Sequence, residues 1–214
     1  MKFLSKIFLI LFLVFLSRAV IAQNKETIIE ITTDFGVMKA RLYNSTPLHK
    51  ENFTNLIKKG FYDSLLFHRV INGFMIQGGD PTSKNADSAA TLGSGEIPDL
   101  PTIPAEFRKN LIHKKGVLAA ARDNNPEKKS SNCQFYIVHG KKMDTAQLNA
   151  ANNYTKTQKE IYQRMGGTPF LDQNYTVFGE IFAGMDVIDK IAATPVNEMD
   201  RPKQNVRMKI KIIK

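Results

Sequence analysis

The chain has 214 residues, with 30 lysines and arginines, 20 aspartates and glutamates, 43% hydrophobic residues and one cysteine. This is the composition of a globular protein, and it excludes a disordered polymer and a collagen-like repeat. With the single cysteine Cys133 and four widely spaced histidines, an internal disulfide and a thiolate zinc site are also excluded. We expect no metal and no cofactor.

The first 22 residues predict an export signal. Lys2 and Lys6 precede an apolar run over residues 7–16, and Ala22 is a small residue at the expected cleavage position. The run is shorter than the roughly 20 residues that a bilayer requires. We therefore expect cleavage after Ala22, a periplasmic or secreted protein and no stable membrane insertion, with an uncleaved anchor as the alternative.

The rest of the chain is basic, but its charges are interspersed. The densest patch is the last predicted strand, where Arg207, Lys209 and Lys211 alternate with apolar residues as they would on a solvated strand face. An exported protein rarely meets nucleic acid, so we expect no nucleic-acid partner.

Residues 23–214 predict one domain with many short strands. Alternating apolar residues around residues 34–36 predict a hairpin, and Thr46 is predicted to cap a helix that begins at Pro47 and ends at Gly60. A second short helix is expected over residues 185–191. The remaining apolar runs predict strands at residues 65–70, 74–77, 117–121, 135–138, 176–181 and 206–213. This order is typical of a barrel capped by two helices, although periodicity does not establish that the barrel closes.

Two long connections interrupt this pattern. Residues 81–111 are rich in polar residues, glycine and proline, which predicts a wrapped functional loop. Residues 144–165 predict one additional inserted helix, which begins with a capping box formed by Asp144 and Gln147 and ends before Gly166.

Standard catalytic motifs are absent. There is no dinucleotide fingerprint, no phosphate-binding glycine loop and no nucleophile elbow, and nothing marks a serine protease triad or paired glycosidase carboxylates. The informative segment is residues 67–81. Strand alternation would place Phe67 and Arg69 on one side and His68 on the other, so a guanidinium falls on an apolar side. That position is costly unless the side is a cleft, although a core strand whose arginine pairs with an acid is the simpler alternative.

Similar residue types recur in two later segments, 131–136 and 170–179, each with glutamine and aromatic residues. Together these segments resemble the signatures of the cyclophilin family of peptidyl-prolyl cis-trans isomerases. The matching segments are residues 67–80, 116–122, 134–136, 177–180 and 184–188. They extend over nearly all of residues 23–214.

The resemblance implies a mainly β fold, a closed eight-stranded antiparallel barrel capped by two α-helices. It also implies roles for individual residues. Arg69 would be the catalytic guanidinium, supported by Gln77 and Phe74, and His68 would be structural. Met75, Tyr136 and Leu171 would bind substrate in the proline pocket. Gln134, together with Gln77, would hold the peptide backbone and orient Arg69. Ala121 and Arg122 would form part of the peptide-binding groove, and Phe170 and Tyr175 would lie at the pocket edge.

The resemblance further implies the activity. The expected function is acceleration of X-Pro rotation in proline-containing unfolded or folding exported polypeptides, by a monomer. The rival hypothesis is a binding module of the same fold that binds such segments without catalysing their isomerisation.

Several positions depart from the family pattern. Phe170 replaces a tryptophan that helps some relatives bind cyclosporin, so we expect weak or no cyclosporin binding. Tyr175 replaces a histidine. Residues 132 and 133, Asn-Cys, replace the usual Gly-Ser and form a bulkier turn able to shift Gln134, and we expect Cys133 to be buried and unreactive. A glycan on Asn174, which lies in an Asn-x-Thr match, would crowd the pocket edge, which favours a bacterial compartment without this modification.

Overall fold

The computed structural model of the chain describes residues 26–151 and 154–214. The export signal predicted for residues 1–22 lies outside the described residues. In the described part, no helix combines the length and the apolar character needed to cross a membrane.

Within residues 26–151 and 154–214, a single sheet of eight antiparallel strands forms the body of the domain. The strands are β1 Thr27–Thr33, β2 Gly36–Leu42, β3 Phe67–Ile71, β4 Met75–Gly78, β5 Val117–Ala120, β6 Phe135–Val138, β7 Val177–Ala183 and β8 Met208–Ile212. Their hydrogen-bonded order is β3-β4-β6-β5-β7-β2-β1-β8. The sheet curls so that its two edges meet. Phe67 donates its backbone N–H to the carbonyl of Val206 at 2.9 Å, and Met208 donates to Leu65 at 2.9 Å. The predicted eight-stranded barrel is confirmed.

The interior of the curled sheet is apolar because alternate residues of each strand point inward. On β1, for example, Ile29 and Ile31 are fully buried and face Met38 and Ala40 of β2. The β1–β2 connection is the predicted hairpin, with two residues between the strands.

Two helices pack against this core. They are α1, Pro47–Lys58, and a later helix, Met185–Ala192, called α4 here because two inserted helices precede it. From α1, Phe53, Leu56 and Ile57 enter the core, as predicted. From α4, Val187, Ile188 and Ile191 do the same. The prediction of two capping helices is therefore confirmed.

Thr46 occupies the predicted N-cap position of α1, but the predicted side-chain cap is not formed. The Thr46 hydroxyl donates instead to the carbonyl of Tyr43 at 3.4 Å. The buried carboxylate of Glu106 replaces it, accepting the backbone N–H groups of Leu48 at 3.3 Å and His49 at 3.0 Å. A carboxylate at a helix N-terminus satisfies free N–H groups and favours the helix dipole. The long loop before β5 thus anchors α1.

The insertion forms two helices rather than the one predicted. These are α2, Thr145–Ala151, and α3, Lys156–Met165. The predicted capping box at Asp144 and Gln147 is present, with reciprocal hydrogen bonds of 2.8 and 3.1 Å. A second capping box, formed by Thr155 and Gln158, starts α3, and because it begins a new helix the single-helix prediction fails. The insertion ends at Gly166, where φ is +83°, as expected.

Candidate active site

A β-bulge in β3 directs Arg69 out of the core. The pairing with β4 shifts between Phe67 and Arg69, so His68 is an extra residue in the strand. Phe67 and Val70 are buried in the barrel core, whereas Arg69 is exposed. The prediction that Phe67 shares a side with Arg69 is therefore wrong, because the bulge interrupts strict alternation. As a consequence of the bulge, the Arg69 side chain lies outside the barrel interior.

Outside the barrel wall, Arg69 faces a cavity of about 170 Å³. Pairing in the sheet explains part of its composition, since Gln77 of β4 lies directly opposite Tyr136 of β6. The lining residues are Arg69, Phe74, Met75, Gln77, Ala121, Arg122, Tyr136, Leu171 and Tyr175. Among these, Met75, Tyr136 and Leu171 are buried members of one apolar cluster. The cavity thus combines a guanidinium, an amide and an apolar wall.

The turn between β3 and β4 fixes Phe74 at this cavity. Gly73 adopts φ +75°, a backbone conformation that residues with a Cβ atom rarely adopt. Its N–H donates to Nδ1 of His139 at 2.8 Å, and the carbonyl of Phe74 accepts the N–H of His139 at 3.0 Å. These two hydrogen bonds to His139 fix the backbone of the turn that carries Phe74.

Arg69 is oriented by a carboxylate that sequence reasoning missed. Its Nε donates to Oδ2 of Asp200 at 3.3 Å, and the two side chains are 45% and 38% exposed. Among the described residues this is the one hydrogen bond of the Arg69 guanidinium, so both terminal nitrogens remain for a bound molecule. An ion pair this exposed contributes about 0–1 kcal/mol to stability. The ion pair with Asp200 therefore adds little to the stability of the fold, and its geometric effect is to hold Nε of Arg69.

The two predicted glutamines lie together. Gln77 donates from Nε2 to Oε1 of Gln134 at 3.0 Å. Gln134 is buried and donates from its own Nε2 to the carbonyls of Gly93 at 3.0 Å and Gly95 at 2.8 Å. Gln134 thus links the side chain of Gln77, which lines the cavity, to the loop before β5 by hydrogen bonds.

Asn132, in the turn before Gln134, is a further buried polar residue. Its side-chain Nδ2 donates to the backbone carbonyls of Ile97 at 3.0 Å and Leu100 at 2.6 Å, and its side-chain Oδ1 accepts the backbone N–H of Ile97 at 3.1 Å. The bulkier turn predicted from the sequence is therefore filled by hydrogen bonds to the loop. Asn132 anchors the loop that Gln134 also contacts.

The far rim of the cavity is aromatic and cationic. The guanidinium of Arg122 lies 4.7 Å from the ring centroid of Tyr175 and donates from Nε to the carbonyl of Asn174 at 3.0 Å. Phe170 is 65% exposed and packs on Phe74 with ring centroids 5.6 Å apart, so it extends the aromatic surface beyond the cavity. Phe170 and Gln134 are the two predicted site residues that do not line the cavity itself.

The chain is similar to known proteins over most of its described length. The model of the family described as Cyclophilin type peptidyl-prolyl cis-trans isomerase/CLD matches residues 28–212. The chain belongs to the cyclophilin family. A Staphylococcus aureus (strain USA300) protein named "Putative peptidyl-prolyl cis-trans isomerase" is 36% identical over 187 residues, covering 86% of this chain and 90% of the relative. A Staphylococcus epidermidis protein of the same name is 34% identical over the same shares of the two chains.

A solved cyclophilin-type isomerase from Cryptosporidium parvum shows the same fold. Its TM-score is 0.67 at 23% identity, and the match covers 89% of this chain and 99% of that one. A second structure of that protein, crystallised in the presence of the dipeptide Ala-Pro, has a TM-score of 0.63 at 24% identity and covers 87% and 99%. Family and relatives thus identify a cyclophilin-type peptidyl-prolyl cis-trans isomerase.

Two titratable groups near the cyclophilin cavity are buried. Burial lowers the pKa of His68 to about 4, so its ring is neutral near pH 7. Burial also raises the pKa of the Cys133 thiol to about 12, and the thiol is therefore not a nucleophile. In residues 26–151 and 154–214, no group of three or more histidine, cysteine, aspartate or glutamate side chains is arranged to hold a metal ion.

Proposed function

We propose that this cyclophilin accelerates rotation about X-Pro bonds in folding exported proteins, with Arg69 as the catalytic hydrogen-bond donor. One observation carries the proposal: Arg69 lines the same cavity as the apolar residues Phe74, Met75 and Tyr136. A proline ring held by those residues would place its imide bond beside the guanidinium.

The reaction needs a donor that acts on the twisted bond. Amide resonance opposes rotation with a barrier of about 18–20 kcal/mol. In the twisted transition state the prolyl nitrogen loses conjugation and becomes a hydrogen-bond acceptor, which it is not in either planar form. A donor placed beside that nitrogen binds the transition state more strongly than the substrate, and this difference lowers the barrier. The terminal nitrogens of Arg69 are suited to this role, since Asp200 occupies Nε.

One hydrogen bond does not account for a large acceleration. A hydrogen bond to a charged group contributes about 1.5–3 kcal/mol, whereas a millionfold acceleration requires about 8 kcal/mol. The remainder would come from holding the proline ring while the neighbouring carbonyl rotates in a site with little water. Gln77, supported by Gln134, is the candidate to hold the peptide backbone during that rotation.

The proposed substrate is a proline-containing segment of an unfolded or folding polypeptide. A related isomerase was crystallised in the presence of the dipeptide Ala-Pro, which supports an X-Pro peptide as the substrate. We further propose that residues 1–22 direct export, that the mature chain acts as a monomer, and that Phe170, which has no indole donor, leaves cyclosporin binding weak.

A protease-coupled isomerisation assay on an Ala-Pro peptide tests the proposal. The mature chain should accelerate isomerisation, Arg69→Ala should lose most of the rate, and Arg164→Ala, an exposed arginine of the insertion, should retain it. Thermal unfolding of the three proteins checks that the fold is intact. Peptide binding without acceleration by the mature chain would leave a binding module, and a wild-type rate in Arg69→Ala would overturn the role of Arg69.

A further inference from the structure

A buried chain of hydrogen bonds joins the insertion to the wall of the proline pocket. Tyr136, whose ring lines the cavity, lies with its hydroxyl 3.0 Å from Nε2 of His113. Both residues are buried, and their rings stack with an interplanar angle of 16°. The polar end of a pocket residue is thus attached to a histidine outside the pocket.

The second link fixes the direction of this hydrogen bond. Oδ1 of Asp172 lies 2.7 Å from Nδ1 of His113 and also accepts the backbone N–H of His113 at 2.7 Å. A carboxylate accepts, so the ring of His113 donates from Nδ1, and in that tautomer Nε2 is an acceptor. Tyr136 therefore donates its hydroxyl to His113. Asp172 directly follows Leu171, a second residue of the pocket wall.

The third link comes from the insertion. Tyr162 of α3 donates its hydroxyl to Oδ2 of Asp172 at 2.6 Å, and Tyr154 donates to the same oxygen at 2.9 Å. Tyr162 and His113 are fully buried. A buried carboxylate depends on its donors, and loss of one donor disturbs the others in a connected network.

We propose that Tyr162 is a positioning residue of the isomerase, which acts through Asp172 and His113 to hold the ring of Tyr136 against the bound proline. The inserted helices α2 and α3 thereby become part of the active-site support. This inference rests on the proposed function, because it takes Tyr136 as a residue that grips the proline ring. It explains why the insertion is joined to the domain by a buried carboxylate rather than by apolar packing alone.

The test is a double-mutant cycle with Tyr162→Phe and Tyr136→Phe, since each change removes one hydroxyl and keeps the ring. In the otherwise wild-type protein, Tyr162→Phe should lower kcat/KM for an Ala-Pro peptide by about fivefold. In the Tyr136→Phe background it should have no further effect. The matched control is Gln163→Ala, which removes a hydrogen bond of 2.7 Å between α3 and Thr145 of α2 without touching Asp172, and it should retain wild-type kcat/KM.

The outcomes are distinguishable. Equal loss from Tyr162→Phe in both backgrounds, or equal loss from Gln163→Ala, would reduce Tyr162 to a structural residue and overturn the inference. If Tyr162→Phe does not fold, Tyr154→Phe removes the other donor to the same oxygen, together with a hydrogen bond of 3.0 Å to the carbonyl of Pro169, and its effect on kcat/KM should likewise disappear in the Tyr136→Phe background. If the wild-type protein does not catalyse isomerisation, the proposed function is wrong. The coupling between Tyr162 and Tyr136 is then measured on the affinity for an Ala-Pro peptide, and additive effects of the two substitutions on that affinity would overturn the inference.

Discussion

Replacement of Arg69 with lysine tests whether the site requires a guanidinium rather than a positive charge. Arginine presents several donors in one plane, so Nε can bind Asp200 at 3.3 Å while a terminal nitrogen binds the substrate. Lysine has a single ammonium nitrogen on a flexible stem. In Arg69→Lys that nitrogen either pairs with Asp200 or reaches the prolyl nitrogen, but it is not held in place for the second task.

The expected loss is that of one positioned, charge-assisted hydrogen bond. Such a bond contributes about 1.5–3 kcal/mol, and at about 1.36 kcal/mol per decade this is roughly a 10- to 150-fold fall in kcat/KM. Stability should change little, because the Arg69 side chain is 45% exposed and an exposed ion pair contributes about 0–1 kcal/mol.

The assay is isomerisation of an Ala-Pro peptide, with urea unfolding of each variant. Arg164→Lys serves as the control for the same exchange at an exposed position outside the cavity. If Arg69→Lys retains activity within twofold of the wild type, a positive charge suffices and the reasoning from guanidinium geometry is refuted.

Three further predictions concern Asp200, His68 and Phe170. Asp200→Asn keeps an acceptor for Arg69 but removes the charge, so kcat/KM should fall by less than about tenfold with little change in stability; a loss as large as that of Arg69→Ala would give Asp200 a larger role. Because burial lowers the pKa of His68 to about 4, the folded state binds fewer protons than the unfolded state between that value and the ordinary pKa near 6.5. The stability from neutral His68 is present above about pH 6.5 and is lost as the pH falls toward 4, by up to about 1.4 kcal/mol per pH unit. Urea unfolding at pH 7, 6, 5 and 4 should show this slope, and His68→Gln should reduce it; an unchanged slope would contradict the assignment. Finally, titration calorimetry should show weak cyclosporin binding by the wild type and tighter binding by Phe170→Trp, and tight wild-type binding would show that the indole donor is not needed.

Much of the fold could be predicted because its signals are local. The β1–β2 hairpin follows from alternation of Ile29 and Ile31 around a short turn, and α1 follows from Pro47 with a helical apolar face. Both elements are determined by residues close together in the sequence, so local hydrophobic periodicity is sufficient to predict them.

The errors arise where the local rule is interrupted or the partner is distant. The period of two assumed for β3 fails at His68, because a bulge adds one residue there. Glu106 replaces Thr46 at the start of α1 from more than 50 residues away, which no local pattern reveals. The inserted second helix could have been found, since Thr155 and Gln158 have capping-box spacing.

The candidate site shows the same division. The residues that line the cavity could be named from the family resemblance, and the structure brings nine predicted residues together around one cavity. Asp200 could not be named, because it lies 131 residues from Arg69 and no motif marks it. The attachment of Tyr136 to His113 was also missed, since the function of a buried hydroxyl depends on which side chain folds against it.

The central claim is that Arg69 stabilises the twisted imide bond rather than the bound substrate. Exchange NMR on an Ala-Pro peptide bound to the mature chain measures the cis-trans interconversion rate on the protein and, by titration, the peptide affinity. For Arg69→Ala we predict a fall of at least tenfold in the interconversion rate, which corresponds to about 1.4 kcal/mol, with an affinity within about threefold of the wild type. An unchanged interconversion rate, or a loss confined to affinity, would contradict the account.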